Sequence, residues 1–147
     1  SVVDVIERFV KIIKPAKLYL GEKDMQQLIL IKDYLRKHYK KVNVIGCKTI
    51  RETNGLAYSS RNLLLNKNEK KLAIRVVNLI NKNKKKILNK NDTLYDLKKE
   101  IRSMGVKKID YLKLININRN NLSSKKNKNY RIFISYYLGS TRLIDNI

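Results

Sequence analysis

The chain has 147 residues, which suits one domain or two small pieces of a larger protein, and its aliphatic content is high enough to exclude global disorder. No uncharged apolar run is long enough for a membrane-spanning helix, and no secretory signal pattern opens the sequence. The net charge of +22 at pH 7 invites a nucleic-acid reading, but the lysines are spread among asparagine and isoleucine, as in NKNKKKILNKND, without the arginines and aromatics of a binding stripe.

In chain order, Val2, Val5, Ile6, Phe9 and Ile13 recur at helical spacing opposite Asp4, Glu7, Arg8 and Lys11, and Pro15 stops the helix they predict. Residues 17–20 read as a short strand. A second helix is expected over 24–39, with Leu28, Ile31 and Leu35 as its buried stripe and Asp24 with Gln27 at capping-box spacing. Residues 42–47 form another strand, so strand, helix and strand make a βαβ unit whose strands are parallel neighbours. The chain begins at Ser1 inside an amphipathic pattern, which predicts a fragment whose natural beginning is missing.

After Thr49 the pattern changes. A turn-rich stretch carries Asn54-Gly55 and the polar run Ser59-Ser60-Arg61-Asn62. Asn66 and Glu69 make a second capping box, opening a helix toward Leu88. Leu94, Leu97, Ile101 and Met104 give a further helix closed by Gly105, and strands over 109–117 and 130–138 precede a last short strand in GSTRLIDNI. Helices followed by strands predict α+β, so the boundary falls near Thr49, between an α/β piece (1–49) and an α+β piece (50–147).

The single cysteine, Cys47, has no disulfide partner and no metal-ligand spacing, which fits a reducing, cytoplasmic setting and a small buried apolar residue. His38 sits in the last turn of a helix beside the apolar stripe, where interaction with the helix dipole explains it and no catalytic role is assigned.

Two clusters carry chemistry. At Gly21-Glu22-Lys23-Asp24 a strand meets a helix, the place where open parallel sheets collect ligands; the glycine permits close backbone approach and the lysine adds a mobile cation suited to polyphosphate. In GLAYSSRN, paired hydroxyls followed by arginine can surround phosphate oxygens. Each signal alone is weak.

Taken together, GEKDxQQ, then RExxGLAxSSRN, then LGxxRLIDN resemble the pantothenate synthetase (pantoate–β-alanine ligase) family over essentially the whole chain. The resemblance implies the end of a Rossmann-like nucleotidyltransferase domain of the HxGH type, followed by a small α+β lid domain with a KMSKS-like loop. It also implies ATP and magnesium chemistry that joins pantoate to β-alanine through a pantoyl adenylate, releasing AMP and pyrophosphate, in a protein that is a homodimer at full length. Gly21, Glu22, Lys23 and Asp24 would belong to the ATP-contacting turn, and Gln27 would contact pantoate. Ile50 would meet the adenine side of ATP through its backbone, while Tyr58, Ser59, Ser60 and Arg61 would form the loop that closes over the phosphates.

Departures from the family pattern are the missing HxGH histidines, Lys48 in place of a common proline, and Met25 and Tyr58 in place of the usual side chains. No catalytic residue is assigned within this chain. On this reading the chain alone is inactive and poorly folded, because its parallel strands lack neighbours. The runner-up reading is a basic nucleic-acid-binding module on a decayed enzyme scaffold, and the third a non-catalytic interaction domain.

Overall fold

The computed structural model describes residues 1–89, 93–117 and 130–147. The chain divides into two units, Ser1–Thr49 and Ile50–Ile147.

In the first unit, helix α1 (Val2–Ile13) ends where Lys14 takes a left-handed conformation (φ 49°) just before Pro15, which cannot continue a helix. Strand β1 (Lys17–Gly21) runs through a 3₁₀ turn (Glu22–Asp24) into helix α2 (Met25–His38), and strand β2 (Asn43–Cys47) returns. The two strands pair in parallel from Lys17↔Asn43 to Gly21↔Cys47, so the βαβ unit forms as its hydrophobic pattern predicts. Helix α2 buries Met25, Leu28, Ile31 and Leu35, and Val10 and Val44 complete the small core. The Tyr39 hydroxyl donates to Glu7 at 2.8 Å, tying α2 to α1.

Two expectations fail here. Cys47 is exposed rather than buried, because it shares the β2 face of Asn43 and Ile45, opposite the face on which Gly46 meets Leu28 of α2. The apolar face of α1 is also uncovered: Val2, Val5, Phe9, Ile12 and Ile13 are exposed, while Val10, on the helix's other flank, is buried.

The second unit holds the larger core. Helix α3 (Lys67–Asn89) opens on the expected reciprocal cap, Glu69 N–H donating to Asn66 Oδ1 and Asn66 N–H to Glu69 Oε2, both at 2.9 Å. Helix α4 (Thr93–Ser103) closes at Gly105, whose φ of 112° favours glycine and whose N–H donates to the Arg102 carbonyl. Strands β3 (Lys108–Asn116), β4 (Tyr130–Leu138) and β5 (Thr141–Asn146) form an antiparallel sheet in the order β3-β4-β5. The expected loop between β3 and β4 lies largely outside the described residues. Both helices bury their apolar stripes in one cluster with the sheet, including Val76, Val77 and Ile80 of α3, Leu97 and Ile101 of α4, and Ile132, Ile134 and Tyr136 of β4. Burial also pushes the ionisation of the Tyr136 hydroxyl well above its ordinary range. The fold is therefore α/β, with a parallel sheet in one unit and a small antiparallel sheet in the other.

The core sets a direct test. Ile80 is fully buried, so Ile80→Ala should cost about 2–5 kcal/mol in urea denaturation. Leu63, 87% exposed, should tolerate alanine within about 0.5 kcal/mol.

Candidate functional site

The strand-to-helix turn of the first unit carries Gly21, Glu22, Lys23 and Asp24. Gly21 has ordinary extended dihedrals (φ −69°, ψ 132°), and a Cβ built on it would meet nothing within 4 Å. Glycine here leaves open space beside the chain and is not required by the backbone. Asp24 occupies the N-cap position of α2 but makes no side-chain cap, contrary to the expected pairing with Gln27. The physical reason is the 3₁₀ turn. It leaves Asp24 at φ −96°, ψ 57°, outside the extended region from which an N-cap side chain reaches the helix. Gln27 is exposed in the first turn of α2, and its amide has no protein partner among the described residues.

In the second unit, residues 50–58 fold into a small hairpin. The Glu52 N–H donates to the Leu56 carbonyl (2.8 Å), the Gly55 N–H to the Glu52 carbonyl (2.9 Å) and the Tyr58 N–H to the Ile50 carbonyl (3.0 Å), around an Arg51↔Ala57 bridge. Gly55 has φ 92°, the left-handed value that makes Asn54-Gly55 a turn signal. Asn54 ties the tip by accepting from the Leu56 N–H and donating to Glu52. Bonds from Asn54 and then Lys70 hold the Glu52 carboxyl below its usual range.

This hairpin brings Ile50 and Tyr58 side by side, both largely exposed (74% and 60%). Directly after it, Ser59 caps a short 3₁₀ turn (Ser60–Leu64) by accepting from the Arg61 N–H at 3.3 Å. The Asn62 amide donates to the Ala57 carbonyl, folding the turn back on the hairpin, and Arg61 Nη1 donates to the Arg142 carbonyl on β5. Ser60 and Arg61 are exposed. Ile50, Tyr58, Ser59, Ser60 and Arg61 thus belong to one local module in the second unit, whereas Gly21–Asp24 and Gln27 belong to the first.

Sequence reasoning gave no role to the residues that support the module. Arg51 forms a two-pronged ion pair with Asp145, whose side chain is only 5% exposed. Strand β3 shifts register between Ile109 and Tyr111, leaving Asp110 out of the ladder, and its carboxylate accepts from Arg142 Nε (2.8 Å) and Ser135 Oγ (3.2 Å). The signals were present in RExxGLA and RLIDN, but nothing in spacing pairs residues so far apart in sequence.

A groove in the first unit is lined by Lys32, Arg36, Lys40 and Lys41 with Val42, Asn43 and Val44. It has cations but no aromatic on which a base could stack, so the nucleic-acid reading gains little from it.

The profile of the family described as pantoate-beta-alanine ligase matches residues 1–147. The chain belongs to that family. It is 37% identical over 154 residues to the pantothenate synthetase of Clostridium botulinum (strain Okra / Type B1), spanning 99% of this chain and 53% of that protein. The crystal structure of pantothenate synthetase from Thermus thermophilus matches with a TM-score of 0.81 and 26% identity, over 99% of this chain and 54% of that one. The pantoate-beta-alanine ligase of Francisella tularensis, solved in complex with beta-gamma ATP and beta-alanine, matches with a TM-score of 0.72 and 34% identity, over 99% of this chain and 48% of that one. The chain thus spans about half the length of the curated relatives it matches.

The support beneath the module has a pH signature. The bond from Arg142, followed by that from Ser135, holds the Asp110 carboxyl below its usual range. The folded chain therefore binds that proton more weakly than the unfolded one. The stability from this contact is present above the ordinary carboxylate range, about pH 4, and is lost as pH falls through and below it. Denaturation midpoints should show Asp110→Asn less stable than the unsubstituted chain at pH 6, with the difference shrinking toward pH 2.

Proposed function

We propose that this chain forms part of an ATP-dependent ligase that condenses pantoate with β-alanine. In the first step a pantoate carboxylate oxygen attacks the α-phosphorus, the bond to the β-phosphate breaks, and pantoyl adenylate and pyrophosphate result. In the second the amine of β-alanine attacks the acyl carbon, the bond to AMP breaks, and pantothenate forms with loss of the amine proton. Magnesium enters with the substrate as MgATP, its ligands drawn chiefly from phosphate oxygens.

On this reading residues 1–49 close a Rossmann-like nucleotide-binding domain, and residues 50–147 form a lid whose loop closes over ATP. Gly21, Glu22, Lys23 and Asp24 would line the ATP side of the strand-to-helix turn, and Gln27, its amide not committed to a cap, would contact pantoate. Ile50 would lie against adenine, with Tyr58, Ser59, Ser60 and Arg61 over the phosphates. Cationic and hydroxyl donors there act where negative charge grows on the pyrophosphate leaving group. The catalytic histidines of the family have no counterpart here, and the proposed setting is cytoplasmic, in a homodimer at full length.

The observation that carries the reading is the module built by residues 50–62, which brings an exposed Ile50 beside an exposed Tyr58 and sets paired hydroxyls and a guanidinium immediately after them. Two measurements test it. Pantoate-dependent exchange of pyrophosphate into ATP should be absent from the 147-residue chain alone, and robust exchange would refute the proposed dependence on the remaining half of the family fold. Saturable MgATP binding should weaken about tenfold or more in Lys23→Ala and in Ser60→Ala, the loss of one charge-assisted contact each. Equal affinity in the unsubstituted chain and both variants would sink the site assignment.

A further inference from the structure

We infer that Arg51 and Asp145 are positioning residues that set the geometry of the loop at 58–61, and that the grip on a nucleotide triphosphate depends on them. This inference rests on the nucleotide reading above. Arg51 itself has little to offer a phosphate. Its Nη1 donates to Asp145 Oδ2 (2.7 Å) and to the Gly55 carbonyl (3.1 Å), and its Nη2 to Asp145 Oδ1 (2.9 Å) and the Asn146 carbonyl (3.1 Å). All four of its terminal N–H donors are engaged inside the fold. Asp145 is fixed in turn, because its Oδ1 also accepts from the Asn146 N–H at 2.8 Å.

One guanidinium therefore binds the hairpin tip at Gly55 and the end of β5 at once. The hairpin's last bond, from the Tyr58 N–H to the Ile50 carbonyl, delivers the chain directly into the loop. On the far side Asn62 anchors to Ala57 and Arg61 anchors to Arg142, whose side chain is held by Asp110. The loop is pinned at both ends while Tyr58 and Ser60 stay exposed between the pins. Arg61 is held through one nitrogen, and its other donors have no protein partner among the described residues. The two arginines have separate tasks: Arg51 fixes the frame, and Arg61 presents donors from it. Lysine at Arg51 could not reproduce a planar fork that meets a carboxylate and two carbonyls together.

The test uses the full chain with Arg51→Lys, Asp145→Asn and the double replacement Arg51→Met with Asp145→Leu. The double replacement leaves neither charge buried without its partner, so it keeps a folded comparison if the single variants lose stability. Amide hydrogen exchange should accelerate about tenfold or more at Tyr58 and Asn62 in every folded variant, while Val76 and Val77 of α3 keep their protection. MgATP affinity should fall about tenfold while adenosine affinity changes less than about twofold, because the loop holds the phosphates rather than the base. Unchanged exchange at Tyr58 and Asn62 overturns the inference, and so does an equal loss of ATP and adenosine binding. If the unsubstituted chain binds ATP no better than adenosine, the nucleotide reading fails, and the exchange measurement alone decides whether the clamp sets the loop.

Discussion

A carboxylate with 5% of its side chain exposed is costly to bury without close partners, and Asp145 finds them in the two terminal nitrogens of Arg51 and the N–H of Asn146. Much of the second unit's local architecture follows from that pairing. It requires the end of β5 to lie against the hairpin at 50–58, which in turn sends the chain into the turn at Ser60–Leu64 along one path. Replacing a buried ion pair by apolar groups is often neutral for stability. The clamp is therefore better understood through the direction it imposes than through energy it adds.

The same economy appears on the other side of the loop. The register shift in β3 takes Asp110 out of the ladder and turns its carboxylate to Arg142 and Ser135. A regular pairing there would have left Arg142 without that partner, and its carbonyl is the group that receives Arg61. An irregularity in one edge strand is thereby linked, through β5, to the placement of an exposed guanidinium.

Local signals were legible in the sequence and remote ones were not. The Asn66–Glu69 cap, the Gly105 terminus and the parallel βαβ pair all rest on patterns within a few residues, and each formed as its pattern predicts. The Asp24 cap is absent although its spacing is right, because the preceding 3₁₀ turn leaves Asp24 outside the extended backbone region of an N-cap, and no spacing rule registers that. The exposure of Cys47 is similar in kind: it depends on which face of β2 meets α2, which only the fold reveals. In the candidate site, the residues of the loop rest on resemblance, and nothing in the spacing of the sequence pairs their supports. Arg51 and Asp145 lie 94 positions apart, and only the folded chain shows that they meet.

The charge of the chain acquires a different meaning in this light. Lysines dominate the basic residues and are scattered along the chain, as a solvated surface would have them. Four arginines of the second unit behave otherwise: Arg51, Arg61, Arg131 and Arg142 each donate to a named carboxylate, amide oxygen or backbone carbonyl in that unit. A chain drifting toward lysine loses nothing where a point charge suffices, but it loses a planar fork wherever lysine replaces arginine. At these four positions arginine stands where a directed fork is used. The informative cations are the few whose donors are already directed, and they gather around the hairpin and its sheet rather than in the most basic stretches of the sequence.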